Sequence, residues 1–368
     1  MSSAFEHKNS PYIHHANSMK PTKINLATSG IHNMALSEFG LTDLALDLNG
    51  SNVYGYAPLL EALASRSNVK ANQVVTATGT SMANHLVMAT ILNRGDDVLI
   101  EHPTYSPLHD IALYLGANVK SFRRQAENKY RVDPDDVATA ITSRTKLIVI
   151  TNLHNPSGVR TPDDVLREVG LIAAKAGAHV LVDEVYMESL FDTPWKSAVH
   201  LGPQFITTSS LTKAYGLTGL RCGWIVCDAQ MALRLWEMNN LFGSTGSFLA
   251  EQASVLVLDR LSVARDRARV ILSANRSALN EFLSSASHIT TVYPDHGTIV
   301  FPRLAMGNVE NFINLLRGRY DVSVASGTFF GDKYSFRLGL GEDPAITREG
   351  LIRISEALME FSNELLKG

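Results

Sequence analysis

Seven short strand-like segments in the middle of the chain constrain its fold more than any other feature. They are rich in apolar and β-branched residues, are bounded by turn residues, and are mostly separated by segments with helical periodicity. They lie at residues 74–78, 97–101, 118–122, 146–151, 179–185, 205–210 and 222–227. Apolar strands that alternate with helices are typical of a parallel sheet covered on both faces. We therefore predict an α/β fold with a mainly parallel seven-stranded sheet.

The segments between these strands carry helical patterns. They lie at residues 81–93, 106–115, 134–142 and 162–176. The last pattern opens with TPDD, which predicts Thr161 as the N-cap, Pro162 as the first helical residue and two acids in the first turn.

The C-terminal third of the chain has a different pattern. A long helical stretch at 247–284 precedes three short strand-like runs (290–294, 299–304 and 334–340) and a final helix near 345–366. This order predicts a smaller α+β unit. KINLATSG (23–30) is expected to be a short strand that enters a glycine turn.

Length and these patterns together predict a division into domains. The chain has 368 residues, more than the roughly 100–200 residues of one typical domain. We expect an N-terminal arm that forms part of the small domain (1–45), a large domain (46–250) and a small C-terminal domain (251–368).

The bulk composition excludes several classes of partner. The formal net charge is -3, which is not the basic footprint of a nucleic-acid-binding protein. No apolar stretch reaches the ~18 residues of a membrane span, and the polar first twenty residues show no secretory signal. Cys222 and Cys227 have a poor spacing for a metal site, and their apolar surroundings predict buried thiols in a reducing, cytoplasmic compartment. We expect no nucleic-acid, membrane or metal partner.

Polar residues follow the carboxyl ends of several strands, where ligands collect in open α/β sheets. Gly79, Thr80 and Ser81 follow the first strand and open a helix, which forms an anion cradle of backbone N–H groups and hydroxyls. Tyr105 follows the second strand, and the turn NPSG places the amide of Asn155 after the fourth. In isolation these are equally an ordinary capped turn, a surface aromatic and a plain loop.

A carboxylate, a phenol and an amine follow the next two strands. Asp183 comes directly after a very apolar strand, where a half-buried carboxylate needs a cation or a hydrogen-bond donor, and Tyr186 lies three residues later. A helix cap or an ion pair would also explain Asp183. Lys213 is set among hydroxyls and glycines. A lysine in a recessed site has a lowered pKa and acts as an amine nucleophile.

A phosphate site is also indicated near this lysine, because Ser209, Ser210 and Arg221 could together bind a phosphate. One cofactor, pyridoxal 5′-phosphate, uses all of these groups. Its aldehyde needs a lysine, its ring nitrogen an acid, its phenolate oxygen donors, its phosphate a cradle and its ring a stacking face.

Four motifs together resemble the fold-type I, class I/II aminotransferases. They are NPSG (155–158), DEVY (183–186), SLTKAYGLTGLRCGW (210–224) and FRLGL (336–340). The gaps between Asn155 and Asp183 and between Lys213 and Arg221 are 28 and 8 residues and fit the family pattern. The resemblance extends from about residue 25 to the C-terminus. It implies the fold of type I pyridoxal-phosphate-dependent transferases, a homodimer, and ping-pong transfer of an amino group between an L-amino acid and a 2-oxo acid.

The resemblance also implies a role for each candidate residue. Lys213 would form the internal aldimine with the cofactor, Asp183 would keep the ring nitrogen protonated, and Tyr186 and Asn155 would donate to the phenolate oxygen. The phosphate and ring would be bound by Gly79, Thr80, Ser81, Tyr105, Ser210 and Arg221. The substrate would be bound by Gly30, Asn155 and Arg337, with Arg337 gripping the α-carboxylate.

One segment departs from the family pattern. The family tyrosine that reaches the partner subunit's phosphate falls near Gly50 if Gly55 is the family glycine, and Tyr54 or Tyr56 could replace it. Two alternative functions stay open at this point. A lyase or decarboxylase of the same fold would share every cofactor residue. A non-catalytic, cofactor-binding regulator would need a DNA-binding module, for which the first 45 residues are too short. The sequence does not identify the amino acid or the 2-oxo acid.

Overall fold

The computed structural model describes residues 9–41, 45–286 and 288–367. The two ends of the predicted arm, residues 1–8 and 42–44, lie outside the described residues. The α-helices are α1 (Pro11–Ser18), α2 (Ala57–Ser67), α3 (Gly79–Ile91), α4 (Ser106–Tyr114), α5 (Pro134–Ala140), α6 (Asp163–Ala176), α7 (Thr212–Tyr215), α8 (Ala229–Phe242), α9 (Phe248–Leu258), α10 (Leu261–Ser285), α11 (Val309–Tyr320) and α12 (Pro344–Lys367). The β-strands are β1 (Ile24–Asn25), β2 (Val74–Thr78), β3 (Asp97–His102), β4 (Asn118–Arg123), β5 (Thr145–Thr151), β6 (His179–Asp183), β7 (Phe205–Ser210), β8 (Cys222–Val226), β9 (Ile289–Thr290), β10 (Ile299–Val300), β11 (Arg303–Leu304), β12 (Val322–Ser323), β13 (Ala325–Ser326) and β14 (Phe336–Gly339).

All seven predicted strands form one sheet with the order β2-β8-β7-β6-β5-β3-β4. Every pairing is parallel except those of β8, which runs antiparallel to both β2 and β7. The predicted mainly parallel seven-stranded sheet is confirmed. The parallel strands β5, β6 and β7 end side by side, so the residues that follow them meet at one edge of the sheet.

Alternating side chains of these strands fill two separate cores, one on each face of the sheet. Leu181 of β6 belongs to the core that also contains α3, α4 and α8. Its neighbours Val180 and Val182 belong to the opposite core, which contains α5 and α6. Both faces are therefore apolar, which explains why the strands read as continuous apolar runs in the sequence.

A further core joins the N-terminal segment to the C-terminal third. Ile24, Leu26 and Ile31 pack with the buried faces of α10, α11 and α12. β1 pairs in parallel with β12, and β14 lies between β10 and β13. The short strand expected within 23–30 is therefore present, and the N-terminal segment packs with the C-terminal elements. The boundaries of the predicted domains stay a prediction.

The helical stretch expected at 247–284 is present, and it is divided into two parts. The structure has two helices, α9 and α10, separated at Asp259 and Arg260. Arg260 leaves helical geometry with φ -119° and ψ 19°. Its guanidinium donates to the backbone oxygen of Phe39 at 3.2 Å. Helical periodicity is a local pattern, so it cannot indicate a contact between residues 221 positions apart.

The predicted start of α6 is also wrong by one residue. Pro162 is the N-cap, and the helix begins at Asp163. Thr161 does not cap it, since its hydroxyl has no hydrogen-bond partner among the described residues. The backbone of Thr161 is bound instead to the side chain of Asn152. The N–H of Thr161 donates to Oδ1 of Asn152 at 2.9 Å, and its oxygen accepts from Nδ2 at 3.1 Å.

Two features are absent from residues 9–41, 45–286 and 288–367. Within these ranges no helix is long and apolar enough to cross a bilayer. The same residues contain no group of three or more His, Cys, Asp or Glu side chains placed to hold a metal ion.

Candidate active site

A cavity of about 220 Å³ lies at the carboxyl ends of β5, β6 and β7, bordered by α1. We call it the sheet-edge cavity. The predicted site residues that line it are Thr80, Ser81, Tyr105, Asn155, Asp183, Tyr186, Ser210, Lys213 and Arg221. The three other predicted residues contact this set, since Gly79 lies against Arg221, Gly30 against Lys213, and Arg337 bonds to Asn155. The fold thus brings together residues that are up to about 300 positions apart in the chain.

Lys213 is the second residue of the short helix α7, which begins directly after β7. Burial, together with the nearby guanidinium of Arg337, lowers the pKa of its amine to about 8, against the opposing effect of Asp183. The backbone oxygen of Lys213 accepts from the N–H of Ile31 at 2.8 Å. A Cβ at Gly30 would lie 3.0 Å from the Lys213 backbone, so the chain passes close to it there. A positioned amine with this pKa is partly neutral near pH 7 and suits a nucleophile or base.

Asp183 ends β6 and is buried. Burial raises the pKa of its carboxyl to about 6, although two hydrogen bonds oppose this shift. Nδ2 of Asn84 donates to Oδ2 at 2.8 Å, and the N–H of Val185 donates to Oδ1 at 3.1 Å. No arginine or lysine in the described ranges makes a salt bridge with it within 4.0 Å. The carboxylate is thus held in place beside the cavity without a cationic partner. It can therefore pair with the protonated ring nitrogen of a ligand.

Asn84 is a residue that the sequence analysis missed. Thr208 of β7 donates its hydroxyl to Oδ1 of Asn84 at 2.6 Å, which turns the Nδ2 group of Asn84 toward Asp183. Asn84 is 2% exposed within an otherwise apolar face of α3. A buried amide in an apolar helical pattern is the signal that could have identified it, since buried polar groups are hydrogen-bonded.

The side chain of Asn155 links two other predicted residues. Its Oδ1 accepts from Nη1 of Arg337 at 2.9 Å, and its Nδ2 donates to the phenol oxygen of Tyr186 at 3.4 Å. Burial raises the pKa of Tyr186 to about 12, so its hydroxyl keeps its proton and can act as a donor. Asn155 and Tyr186 therefore form one polar wall of the sheet-edge cavity.

A buried ion pair supports this wall from below. The N–H of Asn155 donates to the hydroxyl of Thr151 at 2.9 Å, and the N–H of Thr151 donates to Glu101 at 2.7 Å. Glu101 is paired in turn with Arg124, at 2.7 Å and with both side chains fully buried. The sequence analysis missed this pair, because Glu101 at the end of a strand and Arg124 after another give no pattern on their own.

Arg337 on β14 is 1% exposed. Its Nη2 donates to the phenol oxygen of Tyr12 at 2.8 Å and to the backbone oxygen of Ala27 at 3.0 Å. Its Nε has no hydrogen-bond partner among the residues that the structure describes. Within the same ranges it has no salt bridge to a carboxylate. A buried guanidinium without a negative partner is costly, and an anionic ligand would compensate it.

The opposite end of the cavity has the features of a phosphate site. Gly79 opens α3 with φ +77°, and a Cβ there would lie 2.3 Å from Nη2 of Arg221. A Cβ at Gly223 would lie 2.4 Å from the Gly79 carbonyl carbon. These glycines let two backbone segments and a guanidinium meet at a helix N-terminus. The buried hydroxyl of Thr80 has no partner within the described part of the chain. Both observations fit a bound phosphate.

Of the two serines that end β7, only one faces this site. Ser210 lines the sheet-edge cavity, and its hydroxyl accepts from the N–H of Thr212 at 3.3 Å. Ser209 lines a different cavity, because successive side chains of a strand point to opposite faces. The expectation that Ser209 joins Ser210 and Arg221 around a phosphate is wrong.

The predicted aromatic residues lie in two different places. Tyr105 precedes α4 and lines the cavity, where its ring meets that of Tyr12 edge-on at 5.7 Å. Burial raises the pKa of its phenol well above the ordinary value. Tyr54 and Tyr56 do not line this cavity, and their rings meet Trp236 and Phe248 instead.

Pyridoxal 5′-phosphate fits this set of residues. One cavity presents an amine, a carboxylate without a cationic partner, phenol and amide groups, and an anion cradle with an unpartnered hydroxyl. The residues that would hold it are those already assigned from the sequence, with Asn84 in addition. The individual roles stay predictions.

Comparison with known proteins identifies several relatives. The chain is 30% identical to arginine–pyruvate transaminase from Pseudomonas aeruginosa over 338 residues, 86% of this chain and 84% of the relative. It is 28% identical to capreomycidine synthase from Streptomyces vinaceus over 356 residues, 91% of this chain and 90% of the relative. A solved aminotransferase from Streptococcus suis, described as dependent on pyridoxal phosphate, superimposes with a TM-score of 0.90 at 25% identity and covers 97% of this chain and 99% of its own.

The family model for aminotransferase class I and II matches residues 42–354, which is most of the chain. The α/β fold with its seven-stranded, mostly parallel sheet is the one found in these enzymes. On sequence, fold and site together, the chain belongs to the class I and II aminotransferases, enzymes of fold type I that depend on pyridoxal 5′-phosphate.

Proposed function

We propose that this enzyme transfers an amino group between an L-amino acid and a 2-oxo acid in the sheet-edge cavity by a ping-pong mechanism. The observation that carries the proposal is one cavity that joins the partly neutral amine of Lys213, the carboxylate of Asp183 and an anion cradle. The buried Arg337 lies next to it, without a carboxylate partner in the described ranges. Together they offer a place for a cofactor phosphate and for a substrate carboxylate.

The cofactor would be held at several points by side chains of this chain. Asp183, oriented by Asn84, keeps a proton on the ring nitrogen. Tyr186 and Asn155 would donate to the ring oxygen, and Tyr105 would pack on the ring. The phosphate would be bound by Thr80, Ser81, Ser210 and Arg221, with Gly79 giving access to the helix N-terminus. When bound, pyridoxal 5′-phosphate supplies a ring that withdraws electrons from the substrate Cα.

Lys213 moves the proton in this proposal. Its neutral amine would accept the proton from the substrate Cα and return it to the cofactor side of the reacting bond. The lowered pKa supports this role, because an amine with a pKa of about 8 accepts and returns a proton near neutral pH more readily than an ordinary lysine. The backbone contacts at Gly30 and Ile31 keep the amine at the sheet edge.

Arg337, Asn155 and Gly30 would bind and orient the substrate. The guanidinium pairs with the α-carboxylate, since its Nε–H has no hydrogen-bond partner and its charge has no carboxylate partner among the described residues. Asn155 fixes the guanidinium through a 2.9 Å hydrogen bond. Two anionic groups, the α-carboxylate and the phosphate, are thus bound by separate arginines, Arg337 and Arg221.

The experiment that tests transamination uses the loaded enzyme and a panel of L-amino acids. We expect the cofactor to convert to its amine form with release of one equivalent of the 2-oxo acid, and pyruvate or 2-oxoglutarate to restore it. Ammonia and carbon dioxide are measured in the same samples. Release of ammonia or carbon dioxide with the cofactor left in its aldehyde form would establish a lyase or a decarboxylase instead. Binding of the cofactor without turnover of any amino acid would favour the alternative function, a non-catalytic regulator that binds the cofactor.

We also propose a homodimer. Apolar residues near the phosphate end are exposed, namely Val53 (66%), Leu241 (80%) and Phe242 (53%). Phe242 and Arg221 line one cavity of about 440 Å³, so this surface reaches the phosphate site. A partner that covers it could supply the phosphate contact that neither Tyr54 nor Tyr56 makes within one chain. Light scattering coupled to size exclusion tests this, and a fully active monomer would contradict it.

A cytoplasmic location completes the proposal. Both cysteines are free and buried, and burial raises the pKa of Cys222 to about 12. Unpaired thiols with suppressed reactivity fit a reducing compartment. Fractionation of cells that express a tagged chain tests the location.

A further inference from the structure

Helix α1 borders the sheet-edge cavity and contacts the rest of the chain through the rings of Tyr12 and His15. No residue of α1 is buried, yet Tyr12, Ile13 and Ala16 line the cavity. The ring of Tyr12 meets Tyr105 at 5.7 Å, Phe329 at 5.4 Å and Phe330 at 5.8 Å. These contacts position the phenol group of Tyr12 at the cavity wall. No sequence pattern in the first 45 residues indicated such a role.

The hydroxyl of Tyr12 is only half used by the protein. Its oxygen accepts from Nη2 of Arg337 at 2.8 Å. Its hydrogen has no recorded acceptor among the described residues, and a phenol can donate one hydrogen bond as well as accept. The neighbouring Nε of Arg337 is unused as well. The O–H of Tyr12 and the Nε–H of Arg337 are therefore two neighbouring donors that the described residues leave unused. The guanidinium itself has no carboxylate partner within the described ranges.

A carboxylate is the ligand that would use both of these donors. It has two oxygens with about four lone-pair positions and no donor of its own, and it would neutralise the guanidinium. We propose that Tyr12 is a further substrate-binding residue, whose phenol O–H donates to the α-carboxylate of the substrate beside Arg337. This inference rests on the proposed function, because it assumes that Arg337 binds that carboxylate.

Two other roles for Tyr12 predict different results. If the phenol only occupies Arg337 until substrate arrives, its hydroxyl competes with the carboxylate, and removing it would tighten binding. If the ring only docks α1, removing the hydroxyl would change nothing. The variant Tyr12→Phe separates the three cases, because it deletes the hydroxyl and keeps the ring.

The test uses the loaded enzyme and propanoate, an unreactive carboxylate of the right size. For Tyr12→Phe we expect the Kd for propanoate, measured by calorimetry, to rise roughly 10- to 100-fold, as for loss of a hydrogen bond to a charged group. The KM for the amino acid should rise by a similar factor, with kcat within about threefold. Hydrogen exchange of residues 11–19 should be unchanged, which shows that α1 is still docked.

Tyr334→Phe is the matched control. This variant loses the same hydroxyl, but Tyr334 packs on Arg303 and does not line the sheet-edge cavity. The Kd of the variant enzyme for propanoate should therefore equal that of the unaltered enzyme. An unchanged or lower Kd in Tyr12→Phe overturns the inference, and so does a loss confined to kcat. The proposed function fails separately. In that case the unaltered enzyme binds propanoate through Tyr12 but forms no 2-oxo acid from any amino acid.

Discussion

The two faces of strands β6 and β7 carry the same kinds of side chain in different surroundings. On one face, Asp183 and Ser210 line the sheet-edge cavity. On the other, their chain neighbours Glu184 and Ser209 line a second cavity of about 500 Å³, which we call the opposite-face cavity. These two pairs of neighbouring residues thus place one buried carboxylate and one serine hydroxyl on each face, and only the first face has the lysine of α7.

The two carboxylates differ in what remains free around them. Both oxygens of Glu184 are bound, by the hydroxyl of Ser197 at 2.7 Å and by the N–H of Ala198 at 2.7 Å. Burial, with a smaller contribution from the nearby Glu188 and Asp183, raises its pKa to about 8, so it is largely protonated at neutral pH. Asp183, with a pKa of about 6, is largely charged at that pH and faces the cavity. Glu184 is therefore a structural cross-link, whereas Asp183 can bind a cationic group.

The buried charges of the larger cavity are already compensated. Arg66 pairs there with Glu188, and both contact the hydroxyl of Tyr215. In the smaller sheet-edge cavity, neither Arg221 nor the adjoining Arg337 has a salt bridge to a carboxylate in the described part of the chain. The difference teaches that a buried charge without a carboxylate partner, that of Arg337, identifies the ligand site here, and that cavity volume does not.

The largest effect should come from Lys213→Ala. We expect loss of the visible absorbance of the covalently bound cofactor and a fall in turnover of at least about 10³-fold, because nucleophile and proton carrier are lost together. Lys196→Ala is the control on the opposite-face cavity and should retain activity within about twofold. Comparable losses in both variants would remove the functional distinction between the two faces.

The neighbouring carboxylates provide the next comparison. Asp183→Asn should lower kcat/KM by roughly 10²- to 10³-fold, the usual cost of removing an electrostatic group that acts on the reacting centre. Glu184→Gln should lower it by less than about threefold, because glutamine resembles the protonated acid that is present at neutral pH. Steady-state kinetics on both variants decide this. A large loss in Glu184→Gln would show that the opposite face contributes to catalysis.

The sequence predicted the sheet and most of the site for a physical reason. Apolar strands set the sheet, and its carboxyl edge must collect whatever follows β5, β6 and β7, so Asn155, Asp183 and Lys213 were predictable from position alone. The prediction for Ser209 was wrong because Ser209 and Ser210 carry the same side chain, and residue type alone does not show which face of the sheet each one occupies. Strand alternation, applied outward from Ser210, would have placed it correctly.

Other residues could not be predicted because their partners are distant in the chain. Tyr12 meets Arg337 across 325 positions, and Arg260 meets Phe39 across 221. Neither pair leaves a local period or a motif. Asn84 could be predicted only in part. The sequence shows an amide within an apolar helix face, but it does not show that the partner of this amide is Asp183. Long-range polar contacts therefore limited the prediction more than secondary structure did.

The protonated state of Glu184 makes stability depend on pH. Its carboxyl has a pKa of about 8 in the folded chain and an ordinary value of 4.5. Between these values the folded state holds a proton that the unfolded state has lost, so the free energy of unfolding falls as pH rises, by up to about 1.4 kcal/mol per pH unit. Glu184→Gln should flatten this slope between pH 5 and 8 in urea denaturation, roughly as expected for one proton. An unchanged slope would show that Glu184 is ionised in the folded chain.

The serine pair provides the smallest and most local comparison. Ser210→Ala should weaken cofactor binding to the apoenzyme by roughly tenfold, because it removes one hydrogen bond to a charged phosphate. Ser209→Ala should leave cofactor affinity unchanged, since Ser209 faces the opposite-face cavity. Its hydroxyl has no partner among the described residues, so its removal should leave the free energy of unfolding within about 1 kcal/mol of the original or raise it. Titration of each apoenzyme with pyridoxal 5′-phosphate, combined with urea melts, measures both quantities. The two variants delete the same atom at neighbouring positions. Equal losses of cofactor affinity would therefore mean that the phosphate is not bound on the face of the sheet to which Ser210 points.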